Sequence, residues 1–405
     1  MTIVRMSLVI LLAAAAAFGQ TVAVPNPSFE EGAGTQPRAW TLSGGKGEWL
    51  DSGAADGKRA VAVTGTGKDD GYWRSGPLAL EPRKVYRLAF KARRVDGQGG
   101  TPVSGPVFAN HDLGEIPTEW KSYEWTFVTP DKLQPDEAYL RFGQWQVRGT
   151  VAFDAVELVP AIPVYARQWN LALGEGEMLL GNAYNFTAPL GRASGNQSRP
   201  LAGYTCTFNS DRWCLAKGQE VVYRHQVAGR RQTAAEVCVG VGWHAAGELV
   251  VEAAKDGKAW QALGAIDKVA SKTFRLPEAM LPAEDIWVRL SARPGPNSDK
   301  ATASLQVAAY AYQAALDGPA AQLIGVTRFV SVRKTDPRFS VEISGLGEGL
   351  PGGMNHVLAC LRNTTDGPLA VLQSAVVDGK PSPASDLRSV GPGAHPARIH
   401  QELRL

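Results

Sequence analysis

Long apolar runs are scarce in this chain. After the stretch from Leu8 to Ala17, no segment approaches the ~20 apolar residues that a membrane-spanning helix needs, and no cysteine follows that stretch to carry a lipid anchor. Membrane insertion is therefore not expected. Charge of one sign is also scarce: the formal net charge is +3 and no basic block occurs, so nothing points to nucleic acid as a partner. Cysteine is limited to Cys206, Cys214, Cys238 and Cys360, with no CxxC and no clustered histidine beside them, which argues against zinc. There is no GxSxG, HExxH, P-loop or dinucleotide fingerprint. The six histidines are dispersed, and only His111, in "NHD", lies beside an acid. Paired acids such as Glu30-Glu31, Asp69-Asp70 and Glu284-Asp285 are adjacent in sequence, so on strands they point to opposite faces and do not form the facing carboxylates of a glycosidase. No catalytic constellation is visible, and a non-enzyme is expected.

What is present begins with an export signal. Arg5, the apolar run and Ala17-Phe18-Gly19 read as a signal peptide over residues 1–19, which predicts a secreted product, extracellular or at the cell surface. Roughly 385 residues then remain, room for two to three domains. Glycine (44), proline (26) and tryptophan (11) are plentiful, a composition that suits turns and apolar-polar platforms. Export permits disulfides. In "CTFNSDRWC" Cys206 and Cys214 flank a seven-residue loop, the spacing of a bridge across a hairpin, though spacing leaves the pairing open.

Short β-branched and aromatic runs alternate with Gly, Pro, Asp or Asn clusters along nearly the whole chain, as in "VYRLAFKARR", "YEWTFVTP", "EVCVGVGW" and "IWVRLSAR". The expected class is all-β, a tandem of β-sandwiches. Pro160 and Pro163 punctuate one boundary and "ALDGPAAQ" another, giving a first unit at 21–160, a second at 164–317 and a short third at 322–380. Residues 381–405 lose their alternation and read as a low-order tail, or as a sign that the chain is the front part of something longer.

In the first unit, "NPSFEEG", "PRAW", "ADGKRAVAVTG", "GYWRSGPLALEPRKVYRLAFKAR", "TEWKSYEWTFVTP" and "AYLRFGQWQVRGTVAFDAVEL" follow in order. The series resembles carbohydrate-binding modules of families four and nine over about 135 residues. The resemblance implies a β-jelly roll, and the alternation of Tyr86, Leu88, Phe90 and Ala92 with Val85, Arg87, Ala89 and Lys91 independently fits a sandwich strand. It also implies a structural calcium where the first and last strands meet, with Glu30 and Asp154 among its ligands; Ala155 stands where many members carry a second acid. The alternative is that Glu30 is a solvated turn residue and Asp154 an acceptor for backbone N–H groups. Sugar binding by such modules rests on aromatic stacking with polar groups around it. Trp145, between Gln144 and Gln146, is the first candidate, and Trp73 with Tyr72 the second. Trp40, Trp120 and Trp125 fall at packing positions of the family pattern.

The second unit carries "LVVEAAKDGKAWQALG" and "IWVRLSA", which resemble discoidin-like, galactose-binding-like sandwiches over part of its length. There Asp256-Gly257 reads as a turn and Trp260 as scaffold. "NSDRW" reads as a capped turn or a binding loop. The third unit has only the strand rhythm of an immunoglobulin-like sandwich. The sequons at Asn185, Asn196 and Asn363 mark candidate exposed loops. The expectation is a non-catalytic protein whose partner is a polysaccharide or glycan. The alternatives are a structural or adhesive surface protein with a protein partner, or the non-catalytic front of a larger glycoside-active enzyme.

Overall fold

The structure, a computed structural model, describes residues 22–192, 195–295, 302–331, 339–346 and 356–363, with 365–367, 369–373, 376–377, 380–381, 385–390 and 393–400 beyond them. The expected signal peptide, residues 1–19, lies outside the described residues. Strands dominate: the described residues hold one 3-10 turn, Glu278–Met280, and no longer helix.

The first unit is two antiparallel sheets face to face. One runs Lys121–Val128, Val85–Arg94, Arg148–Pro160, Ala60–Thr66, Lys46–Leu50; the other runs Trp40–Ser43, Asp70–Ser75, Arg141–Trp145, Thr101–Gly105, Ala109–Asp112. Alternation decides which side chains enter the core. Along Val85–Arg94, Tyr86, Leu88, Phe90 and Ala92 are buried while Arg87, Ala89 and Lys91 are only partly covered, the period of two that a half-buried strand requires. Phe90, Phe142 and Phe153 meet in the middle with ring centroids 5.0 to 6.3 Å apart.

The second unit repeats the plan around its own core. Leu201–Tyr204, Glu220–Gln226, Asp285–Arg293, Glu248–Ala254 and Gln261–Ile266 form one sheet. The facing sheet is built on the long strand Ser304–Leu316, which pairs with Gln232–Ala246 on one side and with Arg212–Ala216 and Ala183–Thr187 on the other. This facing sheet does not stop at the domain boundary. Thr207–Asn209 pairs in parallel with Ala109–Asp112 of the first unit, Phe208 opposite Ala109 and Asn209 opposite Asn110, so strands of both units make one continuous sheet.

A second contact holds the same boundary. The Asn196 side chain accepts from Val128 N (2.9 Å) and donates to Val128 O (3.1 Å), imitating a strand partner, and Tyr204 Oη also donates to that carbonyl. Asn196 is thereby buried, contrary to the exposed loop its sequon suggested; Asn363 is buried as well. The short runs "NHD" and "NSDRW" are likewise parts of this junction.

One further expectation changes. The Cys206–Cys214 bridge is not formed, and both are free thiols. Cys214 pairs with Thr207 on one face of the hairpin, whereas Phe208 and Trp213 point inward on the other and Cys206 is buried with them; the two thiols leave opposite faces and cannot meet. Ala321–Ile324, near the expected start of the third unit, pairs with Glu177–Gly181 of the second. The expected low-order tail contains the strands Ser385–Val390 and Gly393–His400, the latter paired with His356–Asn363. Pro396 and the surrounding Ala and His residues weaken the alternation that identifies a strand in sequence.

The second core contains a buried polar chain. His225 is fully buried, stacked on Tyr312 with centroids 3.8 Å apart, and its Nε2 lies 2.8 Å from Tyr310 Oη. Nearby, Glu177 receives Arg199 through both carboxylate oxygens and the Tyr184 hydroxyl through one. Burial, reinforced by the Arg199 charge, holds the His225 pKa well below its ordinary 6.5. The unfolded imidazole takes up a proton as pH falls through about 6.5, whereas the folded one resists it, so the unfolded state binds more protons. Stability due to His225 is therefore fully present above about pH 6.5 and declines below it, by up to about 1.4 kcal/mol per pH unit. Denaturant melts between about pH 7.5 and about pH 5 should show this slope. His225→Phe should flatten it while lowering stability at the upper end, because the Tyr310 hydroxyl loses its partner at a cost of about 1–3 kcal/mol.

Candidate functional site

Strand pairing fixes which side chains share the outer face of the continuous sheet. Phe142 and Trp73 are directly paired and point into the core, so their neighbours Arg141, Gly143, Trp145, Tyr72 and Arg74 point out. Tyr72 pairs with Gly143 and Trp145 with Asp70, which makes the two aromatics diagonal neighbours about 7–8 Å apart along the backbone. Gly143 is required between them: a Cβ there would collide with the Tyr72 side chain and Gly71 O. The Trp145 indole is 53% exposed at the strand end.

Guanidinium groups surround this platform. Arg141 lies 5.4 Å from the Tyr72 ring centroid, and its Nη2 donates to Asn110 Oδ1 (3.2 Å). Its Nε is buried without a partner. Burial pulls the Arg141 pKa down, opposed by Tyr139, Tyr72, Asp112 and Asp70 around it. Arg74 covers the buried Tyr139 ring at 3.7 Å and donates to Asp136 O. Tyr139 is in turn raised, first by burial and then by the adjacent Tyr72. The surface thus offers two aromatic faces, a glycine floor, and donors and acceptors from Arg141, Asp70, Asn110 and Asp112. It can stack against flat C–H surfaces and hydrogen-bond to hydroxyls.

Of the residues singled out in the sequence, Trp145 and Tyr72 lie on this face. Trp73 does not: it is 2% exposed and its Nε1 donates to Ala62 O (2.9 Å). Gln144 is also inward, its Oε1 accepting from Val147 N (2.8 Å) to close the turn. Gln146 occupies that turn with φ of 55°. Arg141, Arg74, Asp70 and Asn110 were missed; counting every second residue from Trp145 and Tyr72 would have found the first three. Trp40 and Trp125 are buried, and Trp120 lies in the loop just before Lys121–Val128 of the opposite sheet, with its Nε1 donating to Gly53 O. His111 is on the core side, stacked on Trp125 at 5.0 Å, and burial lowers its pKa.

Glu30 and Asp154 grip one loop from two sides. Asp154 is fully buried; its Oδ2 accepts from Ala55 N (2.7 Å) and Asp56 N (2.9 Å), and its Oδ1 from Ala155 N (2.6 Å). Glu30 Oε1 accepts from Lys58 N and Arg59 N, both at 2.8 Å. Asp56 is turned to Ser28, whose hydroxyl donates to it at 2.7 Å. Burial raises the Asp154 pKa, and its backbone donors oppose the rise. The loop presents N–H groups rather than carbonyl oxygens to both carboxylates, and among the described residues no group of three His, Cys, Asp or Glu gathers around an ion site. Two carboxylates are fewer than the six to eight oxygen ligands that calcium takes, so an ion here would need further oxygens from backbone carbonyls.

No protein-family model and no curated protein matches the chain. Solved structures resemble it weakly. The N-terminal CBM22 tandem of Paenibacillus barcinonensis Xyn10C is 13% identical with a TM-score of 0.28, over 75% of this chain and 100% of that one. A CBM4 module is 19% identical with a TM-score of 0.24, over 34% and 99%. The enzymatically active domain of bacteriophage CBA120 tailspike protein 4 is 15% identical with a TM-score of 0.27, over 35% of this chain and 21% of that one, so the chain spans about a fifth of it. Such scores assign neither family nor function, and the sandwich fold stands on the strand pairing above.

If the two carboxylates hold the loop by themselves, Asp154→Asn removes charge-assisted bonds from buried N–H groups and lowers stability by about 1.5–3 kcal/mol. A chelator should leave the wild-type melting temperature unchanged. A chelator-induced drop reversed by calcium would place an ion at Glu30 and Asp154.

Proposed function

We propose that this is an exported, non-catalytic glycan-binding protein whose first sandwich takes a saccharide on the Tyr72–Gly143–Trp145 platform. The observation that carries the reading is the pairing register that puts both aromatics on one outer face with a glycine between them. A pyranose ring has C–H faces for the two rings and hydroxyls for Arg141, Asp70, Asn110 and Asp112. Aromatic anchors that exclude water dominate such recognition, and removing one commonly costs 2 kcal/mol or more. The platform is rigid because it is built on strands rather than loops, so little ordering entropy opposes binding.

A second reading, adhesion to a protein partner, is favoured by one feature: Met178 and Leu180 are exposed on the same outer face, with Ile324 paired directly opposite Met178. Assembly that depends on concentration and ignores saccharide would support it.

The test is calorimetry or affinity electrophoresis against a panel of soluble polysaccharides and glycans. Trp145→Ala should weaken binding about tenfold or more with an unchanged melting temperature. Trp73→Ala should instead destabilise the fold by about 3–5 kcal/mol. Absence of binding to every member of the panel, or full affinity in Trp145→Ala, would count against the reading.

A further inference from the structure

The outer face does not end with the first sandwich. Following the pairs across the boundary, Val103 faces out with Gly143 and pairs with Asp112; Asn110 is on the same side and pairs with Asn209. Asn209 pairs with Arg212, Cys214 with Gln306, and Gln306 with Trp243. Hydrogen bonds confirm the shared side: Arg141 donates to Asn110 (3.2 Å), and Asn110 to Asn209 (3.1 Å).

Trp243 is on this face because of a bulge. Val237, Val239 and Val241 point inward at a period of two, which would carry Trp243 into the core as well. The register shift between Val241 and Trp243 leaves Gly242 extra and turns the indole outward, 45% exposed, opposite Gln306. Bulges re-aim side chains in this way, often at functional positions. Trp243 lies six strand steps across the sheet from Trp145 and about six residues along the strand axis, roughly 35 Å in all at about 4.8 Å per step and about 3.3 Å per residue. The path between them is polar and self-neutralised: Arg212 pairs with Asp211 (2.6 Å), and Arg141 sits in the fields of Asp112 and Asp70.

We infer that Trp243, with Gln306 and Arg212, is a second saccharide subsite, and that one neutral linear polysaccharide chain lies along the continuous sheet from Tyr72 and Trp145 to Trp243. The inference rests on the glycan reading of the first platform and adds the length and linearity of the ligand. The amides of Asn110, Asn209 and Gln306 along the path suit repeated hydroxyls, and the pairing of its positive with negative side chains disfavours a polyanion. Two subsites on one rigid sheet make the second contact intramolecular, which raises affinity with chain length.

The test uses the full chain and neutral linear oligosaccharides of increasing length from xylan, β-glucan, glucomannan and galactan. Wild-type affinity should rise about tenfold or more from disaccharide to octasaccharide. Trp243→Ala should abolish the rise while leaving disaccharide affinity and the melting temperature unchanged, and Trp243→Phe should restore part of it. Octasaccharide binding that Trp243→Ala leaves intact, with Trp145→Ala still weak, would overturn the second subsite and keep the first. Indifference to both substitutions would overturn both.

Discussion

The parallel pairing of Phe208–Asn209 with Ala109–Asn110 is the constraint on which the rest of the molecule depends. Each sandwich has its own apolar core, so the junction is not needed to bury either one. It fixes orientation. Main-chain bonds from Phe208 N to Phe108 O (2.8 Å) and from Ser210 N to Asn110 O (2.9 Å) set the register, and the Asn196 amide on Val128 fixes a second point away from it. Hydrogen bonds are directional, whereas an apolar patch tolerates sliding. A one-residue slip here would set the outer faces of the two units on opposite sides of the shared sheet.

Much of the fold was legible in sequence because strand alternation is a local signal. The Val85–Arg94 strand and the closing strand through Asp154 read correctly from period two and Gly or Pro punctuation. The sheet across the boundary did not, since "NHD" and "NSDRW" are only a few residues long and their pairing joins segments about a hundred positions apart. No local pattern records a partner at that separation. The tail strands were hidden for a different reason: Pro396 cannot donate to a ladder, and the Ala and His residues around it carry little apolar contrast.

The exposed aromatic face was legible in part, and parity explains which residues it holds. Tyr72 and Trp73 are consecutive, so one must face the core; sequence alone does not say which, and the buried member is Trp73, whose indole N–H is satisfied by Ala62 O. Gln144 and Trp145 divide the same way. The cysteines follow the same rule, since Cys206 and Cys214 fall on opposite faces of their hairpin. Glu30 and Asp154 both reach the loop at residues 55–59, where they accept from its N–H groups, a meeting of distant segments that no local pattern records.

Trp243 shows how alternation can mislead even when a strand is read correctly. In "EVCVGVGW" every second residue from Val237 is apolar, and extrapolation places the tryptophan with the valines. Gly242 breaks the count. A glycine adds no apolar area and weakens a strand, yet here it allows the extra residue that brings a large aromatic to solvent on the side already occupied by Trp145. The same economy holds at Gly143, where any Cβ would displace Tyr72. Both glycines sacrifice local strand stability to aim an aromatic ring at a common surface, and the junction between the sandwiches keeps those two rings on one side of a single sheet.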